Sequence, residues 1–353
     1  MKLSKSHNTR ILIFPNTGFG DVIQACGVFE LSKHIRPDMQ VHCAVYAREH
    51  ADLLQHHAHL DGILPAMFKQ EARGRLHYLI PLLIKYNKTI RLFKHAYLTI
   101  NPDCLGWTTT LPLKIRKIRM TVCDDSRPDR PDYPIFELYQ RMYGKMLGVT
   151  EPPVFQPKLY LLPEERQVGC QMIESLGLDP GKLAVVAYDA GMPLKQIPVK
   201  TAVTICRVLA DRGHQILLIK GTSNSDAARQ IIDTAGIPIK AFEVRGSIRQ
   251  LMKVIAHSRI VAAPDTGIAH MAAALNVPVI SFFGPTHPAF RPAGDRNFLI
   301  QKSLSCPARH KAWACWANCA HKDYPGGDQP GPCMSWFNPL EIEMTLDHFR
   351  GKN

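Results

Sequence analysis

The sequence predicts an α/β protein of two domains, each built on a mostly parallel sheet with helices around it. Its 353 residues are too many for one ordinary core and fit two domains of about 150–170 residues each. In both halves, short apolar segments typical of buried strands alternate with helical segments. This alternation is the pattern of βαβ units, whose strands are parallel.

The first half begins with an apolar strand at 11–15, followed by a turn at 16–21 and a helix from Val22 to about His34. Further strands are predicted at residues 41–46, 61–64, 97–101 and 118–122. Prolines at 152, 153, 157 and 163 exclude a regular element around them. The stretch from Thr150 to Pro163 is therefore predicted to link the two domains.

The second half repeats the same order of elements. Its predicted strands cover residues 183–188, 215–220, 239–244 and 259–263, and its predicted helices cover residues 198–212, 225–235 and 247–257. A last helix is predicted at 339–349. Two such domains are expected to bind ligands at the carboxyl ends of their strands, in a cleft between the domains.

The most informative segment runs from Asp265 to Thr286. A helix that opens on Thr266 and Gly267 offers free backbone N–H groups and the positive end of its dipole, which suits a phosphate. The alanines that follow let this helix lie close to the sheet. With Asp265 and His270 beside the phosphate seat, the segment indicates a nucleotide-linked substrate rather than a bare anion.

Composition narrows the class of protein. An apolar content of 46% and a charged content of 21% are those of a soluble globular protein. The sequence holds no apolar run of the roughly 18–20 residues that a membrane span needs, and the run behind the basic N-terminus is too short for a signal peptide. The sequence therefore predicts a cytoplasmic protein. The third glycine of a dinucleotide-binding fingerprint is replaced by Ile23, which argues against a dehydrogenase.

Positive charge is concentrated in the first half. Residues 69–119 hold eleven Lys and Arg against two acids, which is +9 of the formal net charge of +13. Lys85, Lys88, Arg91 and Lys94 recur every third residue with apolar residues between them, a pattern that predicts a basic amphipathic helix. Such a helix suits an anionic membrane surface or a phosphorylated acceptor, and a solvated helix face is the alternative. Nucleic acid is not predicted as a partner, because the segment lacks a reading motif.

Four motifs, taken in order, resemble glycosyltransferase family 9, the heptosyltransferases that use ADP-heptose and their relatives. The first strand runs into Gly20-Asp21-Val22, Lys195 and Pro198 lie in a loop of the second half, and Arg245-Gly246-Ser247 precedes a helix. The longest motif runs from Asp265 through His270 to Phe283-Gly284-Pro285-Thr286. The motifs span nearly the whole chain. The family usually has Lys-Arg-Trp-Pro where this chain has Lys195-Gln196-Ile197-Pro198.

The resemblance implies a GT-B fold, with two Rossmann-like domains and inverting transfer that requires no metal. The expected parts are an acceptor-binding domain at 1–165, a sugar-nucleotide-binding domain at 166–335, and a C-terminal helix at 336–353 that returns to the first domain. Asp21 is the expected base, although an acid near a helix start is also a favoured cap. Lys195 is the expected cation for the leaving diphosphate, with a solvated loop lysine as the alternative.

The remaining expected site residues divide between donor and acceptor. On the acceptor side they are Gly20, Lys85, Lys88 and Arg91. Two donor-side assignments have simple alternatives, since Asp226 is also placed to cap a helix and His270 to pack inside one. The donor side comprises Gly191, Gly221, Thr222, Asp226, Asp265, Thr266, Gly267, His270, Pro285 and Thr286.

Four late cysteines form a separate cluster in the sequence: Cys306, Cys315, Cys319 and Cys333. Their spacing lacks the paired CxxC knuckles of zinc ribbons. In some relatives four cysteines in this region hold iron. Buried reduced thiols, a structural zinc or iron, and a disulfide all stay open for this chain, and no cofactor is expected for catalysis.

The sequence thus predicts a glycosyltransferase that moves a heptose or related sugar from a nucleotide donor to a lipopolysaccharide core or other surface glycan. It is expected to act in the cytoplasm, peripherally on the inner membrane face. Two alternatives belong to other classes. One is a sugar-nucleotide epimerase or hydrolase of the same architecture, which would consume donor without acceptor. The other is a nucleotide- or glycan-binding protein without catalysis.

Overall fold

The computed structural model describes most of the chain and divides it into two compact units, Met1–Tyr160 and Leu161–Asn353. Each unit carries one parallel sheet with helices around it, so the predicted α/β class is confirmed. The described residues are 9–66, 90–99, 105–123, 133–220, 225–244, 246–302, 306, 319, 321–324, 326, 329–335 and 337–350.

The sheet of the first unit has the order β3-β2-β1-β4-β5, and its described pairings are all parallel. Its central strand is buried at four of five positions, as expected where helices cover both faces of a parallel sheet. The chain enters at β1 and moves first to one side and later to the other. The strands are β1 (Arg10–Phe14), β2 (Gln40–Val45), β3 (Gly62–Pro65), β4 (His95–Leu98) and β5 (Arg119–Val122).

The helices of the first unit pack on this sheet and on each other. Helix α1 begins three residues earlier than predicted, at Phe19, so Asp21 lies in its first turn rather than in the turn before it. The fourth helix packs against α1 and ends at Gly148, whose positive φ of 84° suits glycine. The helices are α1 (Phe19–Ile35), α2 (Arg48–Leu54), α3 (Trp107–Ile115) and α4 (Ile135–Leu147).

The link between the units is irregular, as its prolines predict. Every residue between Gly148 and Leu162 is described, and none of them lies in a helix or strand. The buried amide of Gln140 on α4 holds the segment in place. Gln140 accepts a hydrogen bond from the backbone N–H of Phe155 at 2.7 Å and donates one to the carbonyl of Phe155 at 2.8 Å.

The sheet of the second unit has the order β11-β10-β9-β6-β7-β8. Counted from its own first strand, this is 6-5-4-1-2-3, the doubly wound order of nucleotide-binding domains. Four of its strands, β6, β7, β9 and β10, lie in the buried middle of the sheet. The strands are β6 (Leu183–Ala187), β7 (Gln215–Lys220), β8 (Ile239–Glu243), β9 (Ile260–Pro264), β10 (Val279–Phe283) and β11 (Asn297–Gln301).

Six α-helices surround the described part of the second sheet. Two of them are tied together by an ion pair between Arg249 and Glu165, both largely buried. Short 3₁₀ turns cover Pro180–Lys182, Pro193–Lys195, Pro288–Phe290 and Pro332–Ser335. The helices are α5 (Pro163–Ser175), α6 (Val199–Asp211), α7 (Ser225–Ala235), α8 (Ile248–Ile255), α9 (Gly267–Ala274) and α10 (Pro339–Arg350).

The C-terminal helix α10 packs against α6 of the second unit. Ile342 and Leu346 lie in that unit's hydrophobic core, and Arg212 pairs with Asp347. The predicted return of this helix to the first domain stays a prediction.

The predicted basic helix is wrong at its C-terminal end. Residues 95–98 form strand β4, because Ala96, Tyr97 and Leu98 fill the core of the first unit. Arg91 and Lys94 are exposed in the turn before that strand, while Lys85 and Lys88 lie outside the described residues. Among the residues that the structure describes, no helix has the length and apolar character required to cross a bilayer.

Candidate functional site

The strand order of the second unit fixes where a ligand is expected to bind. The chain reverses direction across the sheet between β6 and β9, and ligands of doubly wound sheets bind outside the carboxyl ends of the strands at this switch point. The residues that follow these two strands include Asp189 and Lys195 after β6 and Asp265 after β9. The structure therefore brings two predicted site residues, Lys195 and Asp265, to the switch point from positions 70 residues apart in the chain.

A polar cluster forms around the carboxylate of Asp265. Lys195 Nζ donates to Asp265 Oδ2 at 2.6 Å, and the hydroxyl of Thr286 donates to the same oxygen at 2.8 Å. The imidazole Nε2 of His270 lies 3.8 Å from Asp265 Oδ1. Lys195 and Asp265 are 15% and 10% exposed, so water screens this ion pair little. We call these four residues the switch-point cluster.

The cluster keeps Asp265 ionised. Burial alone would raise the pKa of this carboxyl, but the charge and hydrogen bond of Lys195 and the neighbouring imidazole of His270 outweigh it and hold the pKa below its ordinary value. The cluster thus contains a fixed anion beside a lysine ammonium. A ligand phosphate that approached would compete with Asp265 for that ammonium.

The N-terminus of α9 is the second element of the site. Its N-cap residue, Thr266, makes no side-chain capping bond to the helix. The Thr266 hydroxyl is buried and has no hydrogen-bond partner among the described residues. An unpaired buried hydroxyl costs about 1–3 kcal/mol, and a ligand oxygen would remove that cost. The helix dipole adds a partial positive charge at the same place.

Three residues that the sequence did not single out as site residues support the cluster. Asp189 accepts hydrogen bonds from Gln196 Nε2 at 2.7 Å and from the backbone N–H of Ala190 at 2.8 Å, which shapes the loop that carries Lys195. Gln301, at the end of β11, donates to the carbonyl of Thr286 at 3.0 Å. The departure at Gln196 from the family's usual arginine was the only sequence signal for any of them.

The Gly284-Pro285 turn is packed against the late cysteine region. A Cβ on Gly284 would lie 2.6 Å from both Cys333 Sγ and Met334 Sδ, so a larger residue there would have to displace these two side chains. The backbone N–H of Gly331 donates to the carbonyl of Leu194, next to Lys195, at 3.1 Å. Cys333 therefore packs against the turn that leads to Thr286.

The other late cysteines do not form a site within the described residues. Cys306 and Cys319 are free thiols, and Cys315 lies outside the described part of the chain. No group of three or more His, Cys, Asp or Glu among the described residues is placed to hold a metal ion. A structural zinc or iron at these cysteines stays a prediction.

The remaining donor-side predictions are exposed or lie outside the described residues. Asp226, in the first turn of α7, is 75% exposed and lies 3.6 Å from Arg229. Gly191 is exposed, and a Cβ there would meet no atom of the described residues within 4 Å. Gly221 and Thr222 lie outside the described residues.

In the first unit, Asp21 occupies the corresponding switch point. It follows β1, and the chain reverses across the sheet between β1 and β4. The Asp21 side chain bends back over the N-terminus of α1, since a Cβ on Gly18 would lie 2.8 Å from Asp21 Oδ2. Asp21 as a whole is half-buried. This position suits both a dipole-stabilised acid and a base at the sheet's carboxyl edge.

Residues 120–316, more than half of the chain, match the sequence profile of glycosyltransferase family 9 (heptosyltransferase). The chain belongs to glycosyltransferase family 9. Over 197 residues it is 22% identical to lipooligosaccharide heptosyltransferase 2 of Haemophilus influenzae, covering 52% of this chain and 56% of that protein. The chain spans about half the length, or less, of the curated relatives that it matches.

Solved structures of family 9 members share the fold. A family 9 glycosyl transferase from Veillonella parvula has a TM-score of 0.79 at 14% identity, covering 100% of both chains. The E. coli heptosyltransferase WaaC, solved with ADP, has a TM-score of 0.63 at 17% identity, covering 96% of this chain and 99% of that one. The prediction of a GT-B fold with two Rossmann-like domains is thereby confirmed.

Proposed function

We propose that this family 9 protein is an inverting, metal-independent glycosyltransferase with an ADP-sugar donor. The transferred sugar is a heptose or a close relative, and the acceptor is a lipopolysaccharide core or another anionic surface glycan. The observation that carries the proposal is the switch-point cluster beside the free N-terminus of α9. The names of the relatives, which are heptosyltransferases, and the ADP in the E. coli structure support the choice of donor.

The donor diphosphate is held by α9 and Lys195 in this proposal. The backbone N–H groups at Thr266 and Gly267 and the helix dipole receive one phosphate. Lys195 moves its ammonium from Asp265 to the diphosphate, where it balances the negative charge that grows as the sugar leaves. Asp265, held by Thr286 and His270, keeps the lysine aimed at this position.

Asp21 acts as the general base. Its carboxylate accepts the proton of the acceptor hydroxyl while that oxygen bonds to the anomeric carbon of the sugar. The bond from the anomeric carbon to the phosphate oxygen breaks, and ADP leaves with the electron pair. Attack from the face opposite the leaving group inverts the anomeric configuration.

The acceptor is anionic because the first unit is strongly basic. Arg91 and Lys94 are exposed before β4, next to the segment that holds Lys85 and Lys88. A phosphorylated core saccharide would be drawn to this charge, and the anionic inner leaflet would hold the protein at the cytoplasmic face of the membrane.

Donor identity is tested by melting the full-length protein with ADP, UDP, GDP or CMP. A ligand at about 100 times its dissociation constant adds roughly 2.7 kcal/mol to the free energy of unfolding. ADP alone is expected to raise the melting temperature. A selective response to another nucleotide would discard the ADP-sugar donor, and no response would favour a glycan-binding protein.

Transfer is tested with ADP-heptose and a heptose-deficient lipopolysaccharide core, with the product mass as readout. The Asp21→Asn variant is expected to lose turnover by about 10²–10⁴-fold and to keep ADP binding. The matched control is Asp38→Asn, which neutralises an exposed carboxylate of the same unit. Consumption of donor without acceptor would instead indicate a hydrolase or epimerase.

A further inference from the structure

A polar cavity lies in the second unit, at the edge of the sheet opposite the switch-point cluster. Its volume is about 550 Å³. It is lined by residues that precede strands β9, β10 and β11 and by residues that follow helices α6, α8 and α9. Because parallel strands start at this edge, the cavity is separated from the proposed donor site by the length of the sheet. Its volume is in the range of small-ligand sites.

Four arginines from separate segments surround this amino-edge cavity: Arg166, Arg212, Arg259 and Arg296. Arg212 pairs with Asp347, and Arg296 donates to the carbonyl of Asn276 at 3.2 Å. Neither Arg166 nor Arg259 pairs with a carboxylate among the described residues. The guanidinium groups of Arg166 and Arg259 therefore have N–H donors that no described carboxylate occupies.

The negative ends of nearby helices balance only part of the positive charge of the four arginines. Helices α6, α8 and α9 end at the cavity, and each C-terminus carries about half a negative charge. Together with Asp347 and Glu343, both of which act on Arg212, they balance part of this positive charge, but neither carboxylate pairs with Arg166 or Arg259. A phosphomonoester, with a charge near −2 at neutral pH, is an anion that several guanidinium groups can bind together.

A buried hydroxyl in the wall of the cavity supplies the independent observation. Ser258 is 7% exposed and precedes Arg259 at the start of β9. Its Oγ is buried and makes no hydrogen bond to any described residue. Buried hydroxyls are nearly always paired, so an unpaired one that lines a basic cavity points to a missing acceptor. A ligand oxygen would accept this hydrogen bond.

We propose that the amino-edge cavity binds a phosphomonoester carried on a polar body such as a sugar. Arg259 and Arg296 hold the phosphoryl oxygens by charge-assisted hydrogen bonds, and Ser258 donates to the same group or its bridging oxygen. The ligand is either a free sugar phosphate or the phosphorylated head of a lipid. This site is independent of the proposed donor site and does not rest on it.

The test measures calorimetric binding of glucose 6-phosphate, with glucose as the uncharged reference, to the full-length protein. The variant Arg259→Ala/Arg296→Ala is expected to weaken binding by about tenfold or more, since it removes two charged donors. The matched control is Lys200→Ala/Lys240→Ala, which removes the same charge from exposed positions of the same unit. It is expected to change binding by about twofold or less.

A second variant, Ser258→Ala, tests the hydrogen bond of the Ser258 hydroxyl while all four arginines stay in place. It is expected to weaken glucose 6-phosphate binding while the melting temperature without ligand stays the same or rises, because the unpaired hydroxyl is gone. Lys195→Ala is expected to leave this binding unchanged, and the double arginine variant to leave ADP binding unchanged. Failure at this cavity is thereby distinguished from failure of the donor site.

Vesicles identify the source of the phosphate. Binding to phosphatidic acid vesicles but not to glucose 6-phosphate, lost in the double arginine variant, would assign a lipid head, and the reverse result would assign a free sugar phosphate. The proposal is overturned if neither probe binds, or if the arginine variant and the lysine control weaken binding equally.

Discussion

Removing the ammonium of Lys195 is expected to destabilise the second unit, because it leaves Asp265 buried without its main counter-charge. The two charged atoms are 2.6 Å apart and the side chains are 15% and 10% exposed. At an effective dielectric constant of about 20, Coulomb attraction at this distance is about 6 kcal/mol before desolvation is subtracted. Breaking a buried pair by truncating one partner typically costs about 3–5 kcal/mol.

The lower end of that range is expected for Lys195→Ala. The hydroxyl of Thr286 still donates to Asp265, and His270 stays within 3.8 Å, so the carboxylate is not left without support. We therefore expect a loss of about 3 kcal/mol. The double variant Lys195→Ala/Asp265→Asn should lose less than the single one, because no charge is then left buried.

Native-state hydrogen exchange followed by mass spectrometry measures this loss in the second unit alone. Peptides from β6 and β9 report the opening free energy, so that unfolding of the first unit does not enter. The control is Lys182→Ala, which removes an exposed lysine next to β6 and should change stability by less than about 0.5 kcal/mol. The reasoning is refuted if Lys195→Ala loses no more stability than this control. It is also refuted if the loss in the double variant equals the sum of the losses in Lys195→Ala and Asp265→Asn.

Three further predictions concern other parts of the fold. Burial lowers the pKa of His57 to about 3, so below pH 6.5 the unfolded chain takes up a proton that the folded one does not. Between pH 7 and pH 5 this lowers the free energy of unfolding by about 2 kcal/mol. The His57→Phe variant should lack that loss, so its melting temperature should fall less between these two pH values. Hydrogen bonds from Arg249 lower the pKa of Glu165 to about 2. The ionised Glu165 therefore stabilises the fold above pH 4.5, and this stability is lost as the pH falls to 2. Urea titrations of the Glu165→Gln variant should lack that loss. Gly284→Ala should lower stability by about 1–3 kcal/mol in thermal melts. Adding Cys333→Ala to that variant should restore part of the loss. If the effects of the two substitutions simply add, the two side chains do not clash.

Local sequence patterns predicted most elements of the second unit closely. Strand Gln215–Lys220 and helix Ser225–Ala235 have the predicted bounds, since a glycine or a polar turn follows each. Helix α1 begins earlier than predicted because Gly18 serves as its N-cap, while the glycines around Phe19 read as a turn. Strand β4 begins at His95, two residues before the predicted strand, and the predicted basic helix does not reach Arg91 and Lys94, because the burial of Tyr97 depends on the sheet and not on its neighbours in sequence.

Pairings between distant segments could not be predicted. Lys195 and Asp265 were each predicted as site residues, but nothing local shows that their side chains meet. Asp189 and Gln301 act only through loops that fold against each other. The four arginines of the amino-edge cavity come from four segments, and each alone has the pattern of a solvated surface residue.

The central claim is that the switch-point cluster binds the diphosphate of an ADP-sugar. Calorimetric titration of ADP into the wild type, Lys195→Ala and the control Lys182→Ala tests it most directly. Wild type and control are expected to bind ADP alike, and Lys195→Ala about tenfold or more weakly, since one charge-assisted contact is worth about 1.5–3 kcal/mol. Equal affinity for ADP in all three proteins, or none in the wild type, would contradict the claim.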